Sequence, residues 1–183
     1  MVNEKIICAG FGGQGVMKMG QILTYAGMIE GKQVSWLPSY GPEMRGGTAN
    51  CNVMISDQMI GSPIITNDAT TVIAMNLPSL VKFEKNTEKG GNILVNSSLI
   101  ERKVQREDVN AYYIPCNDVA IELGDAKVAN MVMLGAYLAL AEPVETETVL
   151  DSLIKVFGEG KAKYMPMNKE AIKKGSELLK KQL

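Results

Sequence analysis

The sequence predicts an α/β fold: a mainly parallel sheet with helices on both faces, followed by a helical C-terminal region. Three observations carry this. Short β-branched segments closed by glycine or proline alternate with longer segments of helical periodicity. A glycine-rich loop joins the first strand to the first helix. From about residue 117 onward the apolar pattern is helical throughout. Strands that alternate with helices pair in parallel and are buried on both faces.

The elements follow in order. Residues 5–10 (KIICAG) are short, β-branched and stopped by glycine, so they predict a buried strand. Residues 16–30 predict a helix, because Val16, Met19, Leu23 and Ala26 repeat at helical spacing. Gly20 and Gly27 share that face and let the helix lie close to a sheet, and Gly31 is a C-terminal stop. Residues 34–37 predict a second strand, so a βαβ unit opens the chain. Residues 39–47 (SYGPEMRGG) are a loop, and 48–56 (TANCNVMIS) a strand of mixed pattern. Asp57 and Gln58 turn the chain into residues 59–65. Residues 71–75 are a further strand, followed by a helix over 78–85. Gly90 and Gly91 turn the chain into a strand at 93–96, and 111–114 is the last strand. Asn117 is a candidate N-cap for a short helix ending near Gly124. Residues 127–141 are almost all apolar and predict a buried helix. Val149, Leu150, Leu153, Ile154 and Phe157 form an amphipathic stripe, and Asn168 is a candidate cap for a final helix burying Ile172 and Leu179. One domain over 1–183 is expected, with a core at about 5–140 and a helical tail at about 145–183.

Composition excludes several functions. The chain of 183 residues carries 19 basic and 20 acidic residues, which argues against a nucleic-acid footprint. The late lysines (Lys161, Lys163, Lys169, Lys173, Lys174, Lys180 and Lys181) read as a solvated helix face. No N-terminal signal pattern and no apolar stretch near the ~20 residues of a membrane span are present, which predicts a cytoplasmic protein. There is no histidine, so imidazole general-base chemistry, Ser–His and Cys–His nucleophiles and His-ligated metals are ruled out. Cys8, Cys51 and Cys116 are widely spaced, which argues against a disulfide framework and an iron–sulfur site. The simplest role for Cys51 and Cys116 is as small core residues, and most of the 12 methionines read as core too.

Gly10, Gly12 and Gly15 satisfy G-x-G-x-x-G at a strand-to-helix junction, a Rossmann-like feature. Such glycines let backbone N–H groups approach a phosphate at a helix N-terminus. Dinucleotide binding also needs an acid at the end of the second strand to hold ribose hydroxyls. Here that strand ends in Trp36, Leu37 and Pro38, which argues against tightly bound NAD. Three readings stay open: a phosphate-bearing group other than NAD, a partner's backbone, or glycines that only pack helix onto sheet. Gly13 and Gln14 are unusual for a purely structural turn, and Gln14 is expected at the helix start with its amide facing a ligand. Arg45, between Met44 and the pair Gly46 and Gly47, suits bidentate contact with a carboxylate or phosphate, or braces its own loop. Tyr40 either stacks on a ligand or partner or anchors the loop. Asn130 lies inside an apolar helix and needs a hydrogen-bond partner: either a neighbouring loop carbonyl, or it holds the glycine loop or the Arg45 loop. The loop 40–47 is expected beside the glycine loop, because both leave the same edge of the sheet.

GFGGQG at 10–15 followed by SYGPEMRGG at 39–47 resembles the gamma subunit of pyruvate, 2-oxoglutarate and branched-chain 2-oxoacid:ferredoxin oxidoreductases. Val53–Ser56 with Ser62 and Pro63, Ala74–Asn76, Gly91 with Leu94–Asn96, and Val128–Gly135 extend the likeness over about residues 5–140. The resemblance implies a Rossmann-like subunit of an enzyme that converts a 2-oxoacid and coenzyme A to acyl-CoA and carbon dioxide and reduces ferredoxin. It implies alpha and beta partner subunits, with or without a ferredoxin-like delta subunit. Thiamine diphosphate then lies between alpha and beta, and iron–sulfur clusters lie on beta or delta. No redox cofactor is implied on this chain alone, and coenzyme A is nearby. The site residues implied are Gly10, Gly12, Gly13, Gln14, Gly15, Tyr40, Arg45, Gly46, Gly47 and Asn130, none of them catalytic. Short length and the SYGPEMRGGTANC run resemble the 2-oxoglutarate or branched-chain versions more than the pyruvate ones. Aromatic-oxoacid relatives share the glycine loop and stay open, as do a free-standing Rossmann-type nucleotide-binding enzyme and a ligand-free scaffold.

Overall fold

A computed structural model describes residues 1–41 and 47–183, apart from the side chains of Glu159, Lys161 and Ala162. Six strands form one sheet: β1 (Asn3–Phe11), β2 (Gln33–Tyr40), β3 (Thr48–Ser56), β4 (Ala69–Ala74), β5 (Thr87–Asn96) and β6 (Asn110–Ile114). Their spatial order is β2-β3-β1-β4-β5-β6. The pairs β1–β4, β4–β5 and β5–β6 are parallel, and β3 is antiparallel to both β1 and β2. The sheet is therefore mainly parallel with one reversed strand. The opening βαβ unit is corrected in one respect. β2 runs parallel to β1 but is not its neighbour, because β3 turns back in a hairpin and inserts between them.

Helix α1 (Val16–Ile29) packs on β1, β2 and β3. Its buried face carries Val16, Met19, Leu23 and Ala26. A Cβ at Gly20 would stand 2.5 Å from the Cys51 Sγ, and one at Gly27 would stand 2.6 Å from Val34, so the small residues do set the helix close to the sheet. α2 (Leu77–Phe83) lies over β1 and β4 on the opposite face, capped by Asn76, whose Oδ1 accepts from the Ser79 N–H at 2.9 Å. α3 (Cys116–Glu122) follows β6. α4 (Ala129–Ala141) is buried along most of its length. α5 (Thr146–Phe157) packs on α1, and α6 (Met165–Lys180) packs on α4.

The α4–α6 contact rests on two glycines to which the sequence assigned no packing role. A Cβ at Gly175 would stand 1.8 Å from the Val132 carbonyl oxygen, and one at Gly135 would stand 1.9 Å from that of Ile172. The two backbones touch directly, so the tail joins the main core cluster: Ala171, Ile172 and Leu179 pack with residues of α1, β1, β3 and α4.

Two capping expectations are overturned. α3 starts at Cys116, two residues earlier than an Asn117 cap requires, and the Asn117 Oδ1 instead accepts from the Asn96 Nδ2 at 2.8 Å. α6 begins at Met165 with Pro166 in its first turn, which leaves Asn168 inside the helix and buried. Pro is favoured in a first turn because its missing N–H has no partner there anyway. Gly90 and Gly91 likewise lie within β5, where the β4–β5 register shifts. No described helix is long and apolar enough to cross a membrane.

Candidate anion-binding site at the carboxyl edge of the sheet

β1 delivers the glycine loop to the edge where the parallel strands end. The loop is held by Gln14. Its Oε1 accepts from the Phe11 N–H at 2.7 Å and from the Asn76 Nδ2 at 3.2 Å, while its Nε2 donates to the Met75 carbonyl at 3.1 Å. The expectation of an amide facing a ligand is therefore corrected. Gln14 ties the end of β1 to the end of β4, because three polar partners inside the fold are closer than solvent. A Cβ at Gly10 would stand 2.8 Å from that same Oε1, so glycine there makes room for the brace.

Gly15 is the N-cap of α1, with φ 75 and ψ 14, and no side chain caps the helix. The first turn of α1 carries no acidic residue. Its leading N–H groups have no preceding helical turn to bond to, and the helix field there favours an anion. Asn130, 5% exposed on the first turn of α4, donates from Nδ2 to the Gly15 carbonyl at 3.3 Å. The buried asparagine and the glycine loop thus meet.

On the other side, the Gly12 N–H donates to the Gly47 carbonyl at 2.9 Å, the Gly41 N–H donates to the Thr48 carbonyl at 2.7 Å, and Tyr40 pairs with Ala49. The ends of the β2–β3 connection therefore flank the glycine loop. Tyr40 is 55% exposed. Arg45 and Gly46 lie outside the described residues.

A cleft of about 360 Å³ opens beside Gly13 and Gly15. Lys18 and Lys127 bring positive charge to its walls, and Asp125 offsets part of it. The Lys18 Nζ donates to the Val156 carbonyl at 3.1 Å, which links α1 to the end of α5. Asn130 and Asn168, both at least nine-tenths buried, and Tyr164 also line the cleft. Gly13, with φ 100, and Lys127 also border a smaller cleft of about 190 Å³ that reaches Gln14 and Asn117. Sequence reasoning missed Lys18, Lys127, Tyr164 and Asn168. Lys18 had a usable signal, since it stands in the first turn after the glycine loop. Asn168 and Tyr164 had none, because only the α4–α6 contact carries them there.

β2 stands one strand further from the glycine loop than a directly paired second strand, a displacement of about 5 Å. The displaced β2 ends without an acid, so the dinucleotide arrangement in which a second-strand acid holds a ribose is not formed at this edge. Nor do the cysteines suit an iron–sulfur cluster. All three are fully buried and unlinked. The Cys8 thiol is pushed up by its contact with Cys51 and by burial, and burial pushes up Cys116. Neither favours the thiolate that a cluster needs.

These features define a Rossmann-like α/β domain with a glycine loop at the carboxyl edge of its sheet and, among its described residues, no group of three or more cysteines, aspartates or glutamates placed to hold a metal. The family model for pyruvate ferredoxin/flavodoxin oxidoreductase matches residues 5–178, and the chain belongs to that family. The ketoisovalerate oxidoreductase subunit VorA of Methanothermobacter marburgensis is 35% identical over 179 residues, which are 98% of this chain and 37% of VorA. The structure of a keto/oxoacid ferredoxin oxidoreductase gamma subunit from Geobacter sulfurreducens superposes with a TM-score of 0.82 at 28% identity, covering 97% of this chain and 99% of that one. The 2-oxoglutarate:ferredoxin oxidoreductase of Magnetococcus marinus, solved with 2-oxoglutarate, coenzyme A and succinyl-CoA bound, gives a TM-score of 0.89 at 25% identity, over 99% of this chain and 32% of that one. The chain therefore spans just over a third of VorA and about a third of the Magnetococcus chain, but nearly all of the Geobacter subunit. The family match also reaches into the tail, beyond the residues on which the sequence resemblance rested.

Proposed function

We propose that this chain is the gamma component of a multi-subunit 2-oxoacid:ferredoxin oxidoreductase, and that its glycine-loop cleft holds the phosphate-bearing part of coenzyme A. The enzyme would convert 2-oxoglutarate or a branched-chain 2-oxoacid, with coenzyme A and oxidised ferredoxin, to acyl-CoA, carbon dioxide and reduced ferredoxin. The named relatives act on 2-oxoacids of these two kinds. Thiamine diphosphate and the iron–sulfur clusters would reside on the alpha, beta or delta partners.

The observation that carries this is that Gly13, Gly15 and Lys18, at the N-terminus of α1 that no side chain caps, line one cleft with Lys127 and the two buried asparagines. Backbone N–H groups and an ammonium lining one cleft suit a phosphate. Gly10, Gly12 and Gln14 would shape the loop, Gly13 and Gly15 would give a phosphate close approach, and Asn130 would hold Gly15 in place. Arg45, two residues before Gly47, would add a guanidinium from the β2–β3 connection, with Tyr40, Gly46 and Gly47 setting its reach.

The test is reconstitution with the partner subunits. Ferredoxin reduction that depends on both 2-oxoacid and coenzyme A is expected with this chain and lost without it. Unchanged saturation by coenzyme A in its absence would overturn the proposal.

A further inference from the structure

A buried amide costs free energy unless it is hydrogen-bonded. Four of the described asparagines are buried: Asn76, Asn96, Asn130 and Asn168. Three of them are bonded. Asn76 caps α2 and donates to Gln14, Asn96 donates to the Met75 carbonyl and to Asn117, and Asn130 donates to the Gly15 carbonyl. Asn168 is the exception. It is 6% exposed, and its amide has no hydrogen-bond partner among the described residues.

Its place in the helix sharpens the point. Asn168, Ile172, Gly175 and Leu179 follow one another at helical spacing in α6, and all four are buried. Gly175 lies against the Val132 carbonyl of α4, so this is the packed face of the helix. An apolar side chain at 168 would be the stable choice there. Yet Asn168 also borders the cleft of about 360 Å³, with Gly13, Gly15 and Lys18 from the core and Tyr164 from the tail. An unbonded buried amide thus meets the same space as the uncapped start of α1. The volume falls within the ~300–1,000 Å³ of small-molecule sites.

The two sides of the lining offer different chemistry. The backbone N–H groups of the glycine loop and the ammonium of Lys127 are donors only, which suits phosphate. An amide carries a donor and an acceptor side by side, so it matches a neutral group that carries both, as the edge of adenine does. Tyr164, 41% exposed, adds an aromatic side chain of the kind on which bases stack.

We propose that Asn168 recognises the base of a nucleotide whose phosphates lie at the glycine loop, which makes the helical tail part of the binding site. This rests on the coenzyme A reading above, since coenzyme A is built on an adenine nucleotide. Stability that an apolar residue would give at 168 is given up for recognition.

Isothermal titration calorimetry of the full chain with two probes, ADP and inorganic pyrophosphate, tests this. The wild-type chain is expected to bind ADP at least about tenfold more tightly than pyrophosphate. Asn168→Leu keeps the size of the side chain and removes the amide. It is expected to weaken ADP binding about tenfold and to leave pyrophosphate binding unchanged. Its melting temperature without ligand, followed by circular dichroism, is expected to equal or exceed that of the wild type, because no hydrogen bond is lost. A variant that fails to fold or melts well below the wild type shows the amide to be structural and overturns the proposal. So does ADP bound no more tightly than pyrophosphate by the wild type, or ADP bound equally by variant and wild type; both leave the phosphate site standing. A wild-type chain that binds neither probe overturns the coenzyme A reading itself.

Discussion

Asn130 occupies the space that a side chain at Gly15 would need. A Cβ at Gly15 would stand 2.3 Å from the Asn130 Nδ2, which itself donates to the Gly15 carbonyl. Glycine is required there twice over, by its left-handed backbone and by the amide packed against it. Gly13 has the same kind of backbone, with φ 100, but open space where its Cβ would be.

These two glycines separate strain from packing. Gly13→Ala is expected to cost about 1 kcal/mol, the penalty of a left-handed alanine. Gly15→Ala adds overpacking and is expected to cost about 2–4 kcal/mol and to release Asn130 from the loop. Urea denaturation of both variants measures the difference. Equal costs would show that Asn130 does not press on Gly15.

The tail is held to the core where Gly135 and Gly175 let two helix backbones touch. Gly175→Ala would force a methyl group into the Val132 carbonyl, and a loss of at least about 3 kcal/mol is expected. If residues 1–183 are one folding unit, loss of α6 packing lowers the whole transition, and circular dichroism and Tyr fluorescence melt together. A separate early transition of the tail would contradict this.

Glu84 pins the irregular segment between β5 and β6. Only 6% exposed, it accepts from the Arg102 Nη2 at 3.1 Å and from the backbone N–H groups of Gln105 and Arg106. Glu84→Ala leaves these donors without their acceptor, and a loss of about 2–3 kcal/mol is expected, because Arg102 is partly solvated. Hydrogen exchange at Gln105 and Arg106 is expected to accelerate. Unchanged protection there would refute the pin.

Glu4 is largely withdrawn from water beneath Tyr137, whose hydroxyl donates to its Oε2 at 3.2 Å, and Thr70 donates to the same oxygen at 2.8 Å. Burial raises its pKa above the ordinary 4.5, against the opposing effect of these two hydrogen bonds. A raised folded-state value favours the protonated carboxyl. The resulting stability is present below 4.5 and is lost as pH climbs through the folded value. Glu4→Gln cannot ionise, so its stability relative to wild type is expected to rise with pH above 4.5 and then level off. Paired denaturation curves across that range measure it, and a constant difference would contradict the burial argument.

The sequence made the sheet, its parallel character and most elements legible, because strand and helix periodicities are local. Gly20 and Gly27 were readable as a close-packing face for the same reason. The insertion of β3 between β1 and β2 was not, since strand order is fixed by pairing between distant segments and a hairpin reads the same wherever it docks. Gln14 looked like a ligand contact because its three partners lie on Phe11, Met75 and Asn76, two of them 61 and 62 residues away. Asn130 was legible because a polar residue in an apolar helix must find a partner. Asn168 resembled a cap, but the first-turn proline moved the helix start upstream. Lys127 joined the site only through the placement of α4.

The most direct test of the central claim is the KM for coenzyme A in the assembled enzyme with Lys127→Ala. One charge-assisted contact to phosphate contributes about 1.5–3 kcal/mol, so a rise in KM of roughly tenfold or more is expected. The KM for the 2-oxoacid is expected to stay unchanged, and Arg45→Ala is expected to act in the same direction. An unaltered KM for coenzyme A in a fully assembled Lys127→Ala complex would contradict the assignment of this cleft.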